Sequence, residues 1–253
     1  MDLLSLYNPP EHAVAKTAAV REAILRESDN LKQPNFERVS TEDLARLFER
    51  YDRTFFKGLL ADAVKRNSGR PPAFRLSSTM TRAGGKTFLY RRRTPDGKVQ
   101  AHYEIAVATR MLFMTFRQIN RPVVVCGLAC KDRLEALQRI MEHEIIHLAE
   151  MVTCGKSSCS SRRFKELAAN IFGHAGTKHD LVTPREHAAV QHGVRVGSVV
   201  RFEFEGRRLV GRVNRVNRRA TVLVEDAAGV PYSDGRKYQK FYVSLKGLSP
   251  ASV

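Results

Sequence analysis

Leu134, Leu137, Met141, Ile145, Leu148 and Val152 recur at steps of three and four. That spacing predicts one long helix, starting near Lys131, with a single face turned into a core. Leu44, Leu47, Phe48, Tyr51 and Phe55 repeat the pattern, with Ser40 or Thr41 placed to cap the helix and Gly58 to end it. Residues 11–29 read as a charged helix, and a break at 30–35 contains Pro34. Residues 73–76 fit a short strand. Segments 86–92 and 99–107 read as a β-hairpin around Thr94-Pro95-Asp96-Gly97. A short helix at 109–116 and a buried extended segment at 122–126 follow. A last helix begins near Ser160, carries Phe164, Leu167, Ala168 and Ile171 on one side, and ends at Gly173.

The texture then changes. Residues 176–193 hold Pro184, three histidines and few large apolar side chains, and read as a linker with one short helix. From Val194 the pattern alternates, with strands near 199–204, 209–216, 220–224 and 240–243. Gly206, Asn217-Arg218-Arg219 and Asp234-Gly235 supply turns. Strands this short and few suggest a small all-β barrel of the SH3-like kind. The expected fold class is therefore α+β. Its parts are an N-terminal helical extension (1–39), a mixed domain (40–180), a linker (181–193) and a basic barrel (194–250).

Composition changes this picture in one respect. Across 253 residues, 43 Lys and Arg stand against 26 Asp and Glu, a formal charge of +17. Such an excess favours a polyanionic partner, most simply nucleic acid. No strongly amphipathic basic helix and no uncharged apolar run of spanning length is present, so a membrane is not the expected partner. The N-terminal residues lack a basic-then-apolar leader pattern, and the four cysteines read as thiols or metal ligands. An intracellular, cytoplasmic setting is expected, nucleoid or nucleus included.

The chemistry sits on the long helix. His143-Glu144-Ile145-Ile146-His147 is an HExxH sequence. Four residues are about one helical turn, so both imidazoles face the same way and can share one zinc ion, with Glu144 beside them as general base. At about 100° per residue the two histidines lie on the side of the helix away from the apolar stripe, toward a cleft.

Taken in order, these pieces resemble the SprT-like metalloproteases, the family that includes the Spartan-type proteases of DNA–protein crosslinks. The resemblance covers roughly residues 40–180. It rests on the aromatic pair Phe55-Phe56 followed by Gly58-Leu59, on the glycine-containing turn at 79–87, on the strand Ile105-Ala106-Val107-Ala108-Thr109, and on the HExxH helix itself. It implies a zincin-like domain, a zinc cofactor and peptidase activity. The family's third ligand is a histidine four residues before an aromatic. With Phe164 as that aromatic, the position falls on Ser160, a poor ligand. Cys159 is adjacent and would bind zinc if the helix started one residue earlier; Glu166 and His174 remain open as alternatives, as does His179. Cys126, Cys130, Cys154 and Cys159 offer a further reading as a four-cysteine site, with buried thiols as the alternative for the first pair.

The expected activity is a zinc endopeptidase acting on DNA-associated proteins, with extended substrate lying along the 99–107 strand. Between residues 193 and 248, 12 Lys and Arg face 5 Asp and Glu. Arg207, Arg208, Arg212, Arg215, Arg218, Arg219, Arg236, Lys237 and Lys240, interleaved with Tyr232, Tyr238, Phe241 and Tyr242, are the candidate nucleic-acid contacts. About half of those aromatics are expected in the core. The competing reading is a nucleic-acid-binding adaptor built on a lapsed protease domain.

Overall fold

A computed structural model of the chain describes residues 3–93, 97, 99–117 and 121–251; the turn expected at 94–97 lies, apart from Gly97, outside them. The chain divides into two compact units, Met1–Leu181 and Val182–Val253. Its overall class is mixed α+β.

The first unit runs through α1 (Pro10–Glu27), α2 (Thr41–Tyr51), a π-helical segment (Asp52–Phe56), α3 (Leu59–Ser68), β1 (Ala73–Ser77), β2 (Gly85–Arg93) and β3 (Val99–Ala108). It continues with α4 (Thr109–Met114), β4 (Val123–Val125), β5 (Leu128–Cys130), α5 (Arg133–Cys154) and α6 (Arg162–Phe172). α2 starts in a capping box: Ser40 accepts from the Asp43 amide while the Asp43 carboxylate accepts from the Ser40 amide. α5 is capped by Asp132, whose carboxylate accepts from the Glu135 amide, and stops at Gly155 in a left-handed conformation. The predicted stripe is the core face: Leu134, Leu137, Met141, Ile145 and Leu148 are fully buried, and Val152 packs against them in part.

Some expectations are sharpened and others corrected. The N-terminal helical extension, residues 1–39, packs into the first unit: Val20, Ile24, Leu31 and Phe36 belong to its core and Arg21 forks onto Asp132 at 2.6 and 3.0 Å. Gly58 ends the first helical run as expected, but a second helix follows it directly. With Lys57 it turns the chain through left-handed conformations, and Leu60, Ala63 and Val64 then bury one face of the unanticipated α3. α6 begins at Arg162, capped by Ser161, later than Ser160 and not earlier. Strand order is β1-β3-β2, with β1 parallel and β2 antiparallel to β3. The 99–107 segment is thus the middle strand, both of its edges are occupied, and no substrate strand can add to it. Among the described residues, the edge of β2 that faces away from β3 pairs with no strand.

β4 and β5 form a tight hairpin whose two turn residues, Cys126 and Gly127, both have positive φ. Segment 174–180 docks on that turn. The amides of Ala175 and Gly176 donate to the Cys126 carbonyl, the Cys126 amide donates to the Lys178 carbonyl, and His179 bridges to Val125. A Cβ on Gly127 would sit 2.7 Å from this segment's backbone, so only glycine fits there.

The second unit holds α7 (Pro184–His192), β6 (Val199–Phe204), β7 (Arg207–Val216), β8 (Arg219–Pro231), β9 (Lys237–Ser244) and β10 (Ser249–Pro250). The expected linker is therefore largely α7, whose Ala188 joins Val194, Val200, Phe202, Val213, Val222 and Phe241 in a separate core. The strands make one antiparallel sheet in the order β10-β6-β7-β8-β9. Closure into a barrel is not among the pairings of the described residues.

Candidate metal centre and the basic sheet

His143 and His147 stand one turn apart on α5, ring centres 4.9 Å apart. Cys159 reaches them from the 155–161 loop between α5 and α6. One ligand atom from each lies within 4.8 Å of the other two. Donors at zinc distances of about 2.0 and 2.3 Å would be separated by roughly 3.3–3.8 Å, so the trio needs only a small contraction to hold an ion. Phe164 on α6 packs on both imidazoles, 4.8 Å from His143 and 4.4 Å from His147 between ring centres.

Each imidazole is also held from behind. His143 Nδ1 lies 3.6 Å from Cys126 Sγ, and His147 Nδ1 lies 2.6 Å from Ser157 Oγ. Ser157 donates to the buried carboxylate of Glu150, which Arg163 Nε contacts at 2.6 Å. With both Nδ1 atoms engaged, Nε2 of each ring is left for an ion, the usual arrangement around metal-binding histidines. Burial pushes the imidazole pKa values down, to about 3 for His143 and about 4 for His147. Both are therefore neutral at physiological pH, the state a ligand requires. Among the described residues no other His, Cys, Asp or Glu group converges in this way. The donor set, two neutral imidazoles and a thiol, suits zinc.

Glu144 is fully buried on the wall of the same cleft. Thr87 of β2 places its hydroxyl 2.8 Å from Glu144 Oε2 and 2.9 Å from the Glu144 carbonyl oxygen. Burial drives the carboxyl pKa up to about 7, against the opposing pull of the Thr87 hydrogen bonds and of Lys86. Room for this side chain comes from Gly85, where an added Cβ would lie 2.7 Å from Glu144 Cγ and 2.8 Å from its Oε1. Gly85→Ala is expected to push the carboxylate out of position and to cost at least tenfold in any activity that depends on Glu144, with circular dichroism unchanged. Wild-type turnover by that variant would show that the carboxylate's position does not matter.

The cleft has a volume of about 580 Å³ and is lined by residues 82–87 on one side and by Cys126, Thr177, Lys178 and His179 on another. The alternative third ligands lie elsewhere. Glu166 is exposed and paired with Arg162 at 2.6 Å, and His174 Nε2 is 2.8 Å from the carboxylate of Glu142. His179 lines the cleft without joining the ligand trio. Cys126 and Cys130 are buried thiols, their pKa values raised by burial, to about 12 for Cys130, and among the described residues the four cysteines do not converge on one site.

Glu142 was not anticipated as a structural residue. Its carboxylate is fully buried and meets Tyr51 Oη at 2.7 Å, Thr17 Oγ1 at 3.2 Å, Arg139 Nη1 at 2.9 and 3.1 Å, and His174. Burial alone would raise its pKa, but Arg139, His174 and Tyr51 together hold it below the usual carboxylate value. Gly84-Gly85 ahead of a β-strand was the one sequence signal that could have located the wall behind Glu144. Ser157 and Glu150 carried none.

In the second unit all nine candidate basic contacts are exposed. The register aligns Arg212 with Leu223 and Lys240, and Arg215 with Thr221 and Tyr242, so Arg212, Arg215, Lys240 and the exposed Tyr242 share one face of the sheet. Arg207 and Arg208 lie at the β6–β7 turn, Arg218 and Arg219 at the β7–β8 turn, and Arg236 and Lys237 at the β8–β9 turn. Arg236 is already bonded to Glu225 at 3.0 Å. Phe241 is core, its ring tilted against Phe202 with centres 5.5 Å apart. Tyr232 and Tyr238 meet edge to face, with Lys240 Nζ 5.4 Å from the Tyr232 ring centre.

Comparison of the chain with family models, with curated proteins and with solved structures returned no match. No helix among the described residues is long and apolar enough to cross a membrane.

Proposed function

We propose that this chain is a zinc-dependent endopeptidase of the SprT-like kind, acting on proteins bound or crosslinked to DNA in a cytoplasmic, nucleoid or nuclear setting. One observation carries the reading. Two neutral histidines and a cysteine converge at a cleft on whose wall a buried glutamate has its proton affinity raised into the neutral range. His143, His147 and Cys159 would hold the ion. When bound, zinc supplies Lewis acidity, acidifying water and polarising a carbonyl. Glu144 accepts the proton of the attacking water and returns it to the leaving amine. Thr87 fixes one carboxylate oxygen, and the missing side chain of Gly85 leaves room for the other. An extended peptide adds to the free edge of β2, whose residues 85–87 line the cleft, through main-chain hydrogen bonds. The zincin-like architecture of the first unit and an SH3-like curl of the second belong to this proposal. So does nucleic-acid contact by the face carrying Arg212, Arg215 and Lys240.

A lapsed protease serving as a nucleic-acid-binding adaptor is the second reading. The thiol among the ligands favours it, because an anionic sulfur leaves an ion less electrophilic than a third imidazole would. Elemental mass spectrometry of zinc per chain is the first test. We expect one zinc in the wild type, loss in His147→Ala and Cys159→Ala, and full retention in His174→Ala and Glu166→Ala. Cleavage of a DNA-bound protein, with and without the DNA, then separates the readings. A wild type that takes up no zinc on reconstitution would hand the leading place to the adaptor.

A further inference from the structure

Alternation along β2 sends Thr87, Leu89 and Arg91 toward α5 and Lys86, Phe88, Tyr90 and Arg92 to the opposite face. On β3, Tyr103, Ile105 and Val107 enter the core, while His102 and Glu104 join that outer face, as does Arg75 from β1. The outward aromatics are ordered. Phe88 and Tyr90 lie 5.7 Å apart and within 9° of parallel, and Tyr90 and His102 lie 6.0 Å apart at 23°. Tyr90 is 46% exposed, and neither it nor Phe88 belongs to the hydrophobic core. Cations flank the row: Lys86 Nζ is 4.9 Å and Arg75 Cζ 5.5 Å from the Phe88 ring centre. The one acid on this face among the described residues, Glu104, is taken up by Arg75 at 2.8 Å. Of these groups only Lys86 also borders the cleft of the candidate metal centre.

A row of flat rings in register, bordered by lysine and arginine, matches a ligand that offers π-faces along an anionic backbone. An apolar protein helix would leave the cations without partners, and an acidic peptide would leave the rings without any. We propose that the outer face of β1-β3-β2 is a binding site for single-stranded nucleic acid, with bases stacking on Phe88, Tyr90 and His102 and phosphates meeting Arg75, Lys86 and Arg92. Duplex bases have both faces occupied by their neighbours, so a duplex gains from the cations alone. This proposal rests neither on the zinc reading nor on nucleic-acid contact by the second unit.

The test is fluorescence anisotropy of a labelled 15-nucleotide oligothymidylate, and of a duplex of equal length, with the full chain in EDTA. Tyr90→Leu and Phe88→Leu are each expected to weaken the single strand about 5- to 150-fold and to leave the duplex within twofold. Tyr90→Phe is expected to bind like the wild type. The paired change Arg212→Gln/Arg215→Gln in the second unit is expected to preserve the effect of Tyr90→Leu. Photocrosslinking with a 5-iodouracil oligonucleotide should place adducts on Phe88, Tyr90 or His102, a readout that needs no variant to fold. Unchanged oligothymidylate affinity in both leucine variants, equal weakening of strand and duplex, or adducts confined to residues 182–251 would each overturn the site. None of these outcomes bears on whether zinc is bound, so the two proposals fail separately.

Discussion

Glu144→Gln is expected to lower peptide-bond cleavage by about 10²- to 10⁴-fold while zinc content stays at one per chain. The amide is isosteric, fits the space over Gly85 and keeps a hydrogen bond with the Thr87 hydroxyl, but it cannot accept a proton from water. The same change carries a second, opposite signature in the metal-free protein. The Glu144 carboxyl has its pKa raised by burial from 4.5 to about 7, so the folded chain binds the proton more tightly than the unfolded chain does. Folding stability from this group therefore falls as pH rises from about 4.5 to about 7 and is level beyond that, a loss of about 3 kcal/mol. Glutamine removes that cost. In EDTA, Glu144→Gln should melt higher than the wild type at pH 8, and the two should converge near pH 4.5. Cleavage that persists in the variant would sink the assignment of Glu144 as the base. Equal melting temperatures at pH 8 would show that the carboxylate is not buried at a cost.

Glu142→Leu is expected to have the largest effect on stability, about 3–5 kcal/mol. The substitution leaves the half-buried Arg139 guanidinium without its carboxylate and strips Tyr51, Thr17 and His174 of a shared acceptor. Isolated buried charge is costly because solvation is lost and nothing replaces it. Leucine fills the volume, so the loss is electrostatic and not a cavity. Urea unfolding of wild type, Glu142→Leu and Glu142→Gln measures it, with glutamine intermediate because it keeps an acceptor. A loss below about 1 kcal/mol for leucine would mean that the cluster is balanced by water or by a shifted Arg139.

What the sequence made legible follows from locality. The α5 stripe and the HExxH pair lie within one helix, where spacing alone fixes direction, so both imidazoles could be placed on one side beforehand. The α2 cap could be read because Ser40 and Asp43 are three residues apart. Cys159 could be named only as one of several candidates, because its position depends on the path of the 155–161 loop, set by Gly155 at one end and Ser161 at the other. The same loop keeps Glu166 and His174 away, one facing solvent and the other facing Glu142. The middle position of β3 was not legible, since its parallel partner β1 is about thirty residues distant and nothing local announces the pairing. α3 was missed for another reason: Gly58 was read as a break, whereas a short helix follows it directly, while the one short helix expected within 176–193 is α7. The strands of the second unit showed in their alternation, but how a sheet closes is a matter of curvature and not of pattern.

The contacts of α1 bear on how this protein can be handled. Thr17 and Arg21 reach Glu142 and Asp132 from the first thirty residues, and Gln138 donates to the Thr17 carbonyl. A fragment trimmed to begin at residue 40, where the recognisable motifs start, would expose the buried side of α5 and unsettle its first turn. The smallest piece fit for crystallisation or inhibitor screening begins ahead of Pro10. A failed expression trial with a shorter one would report on packing, not on chemistry.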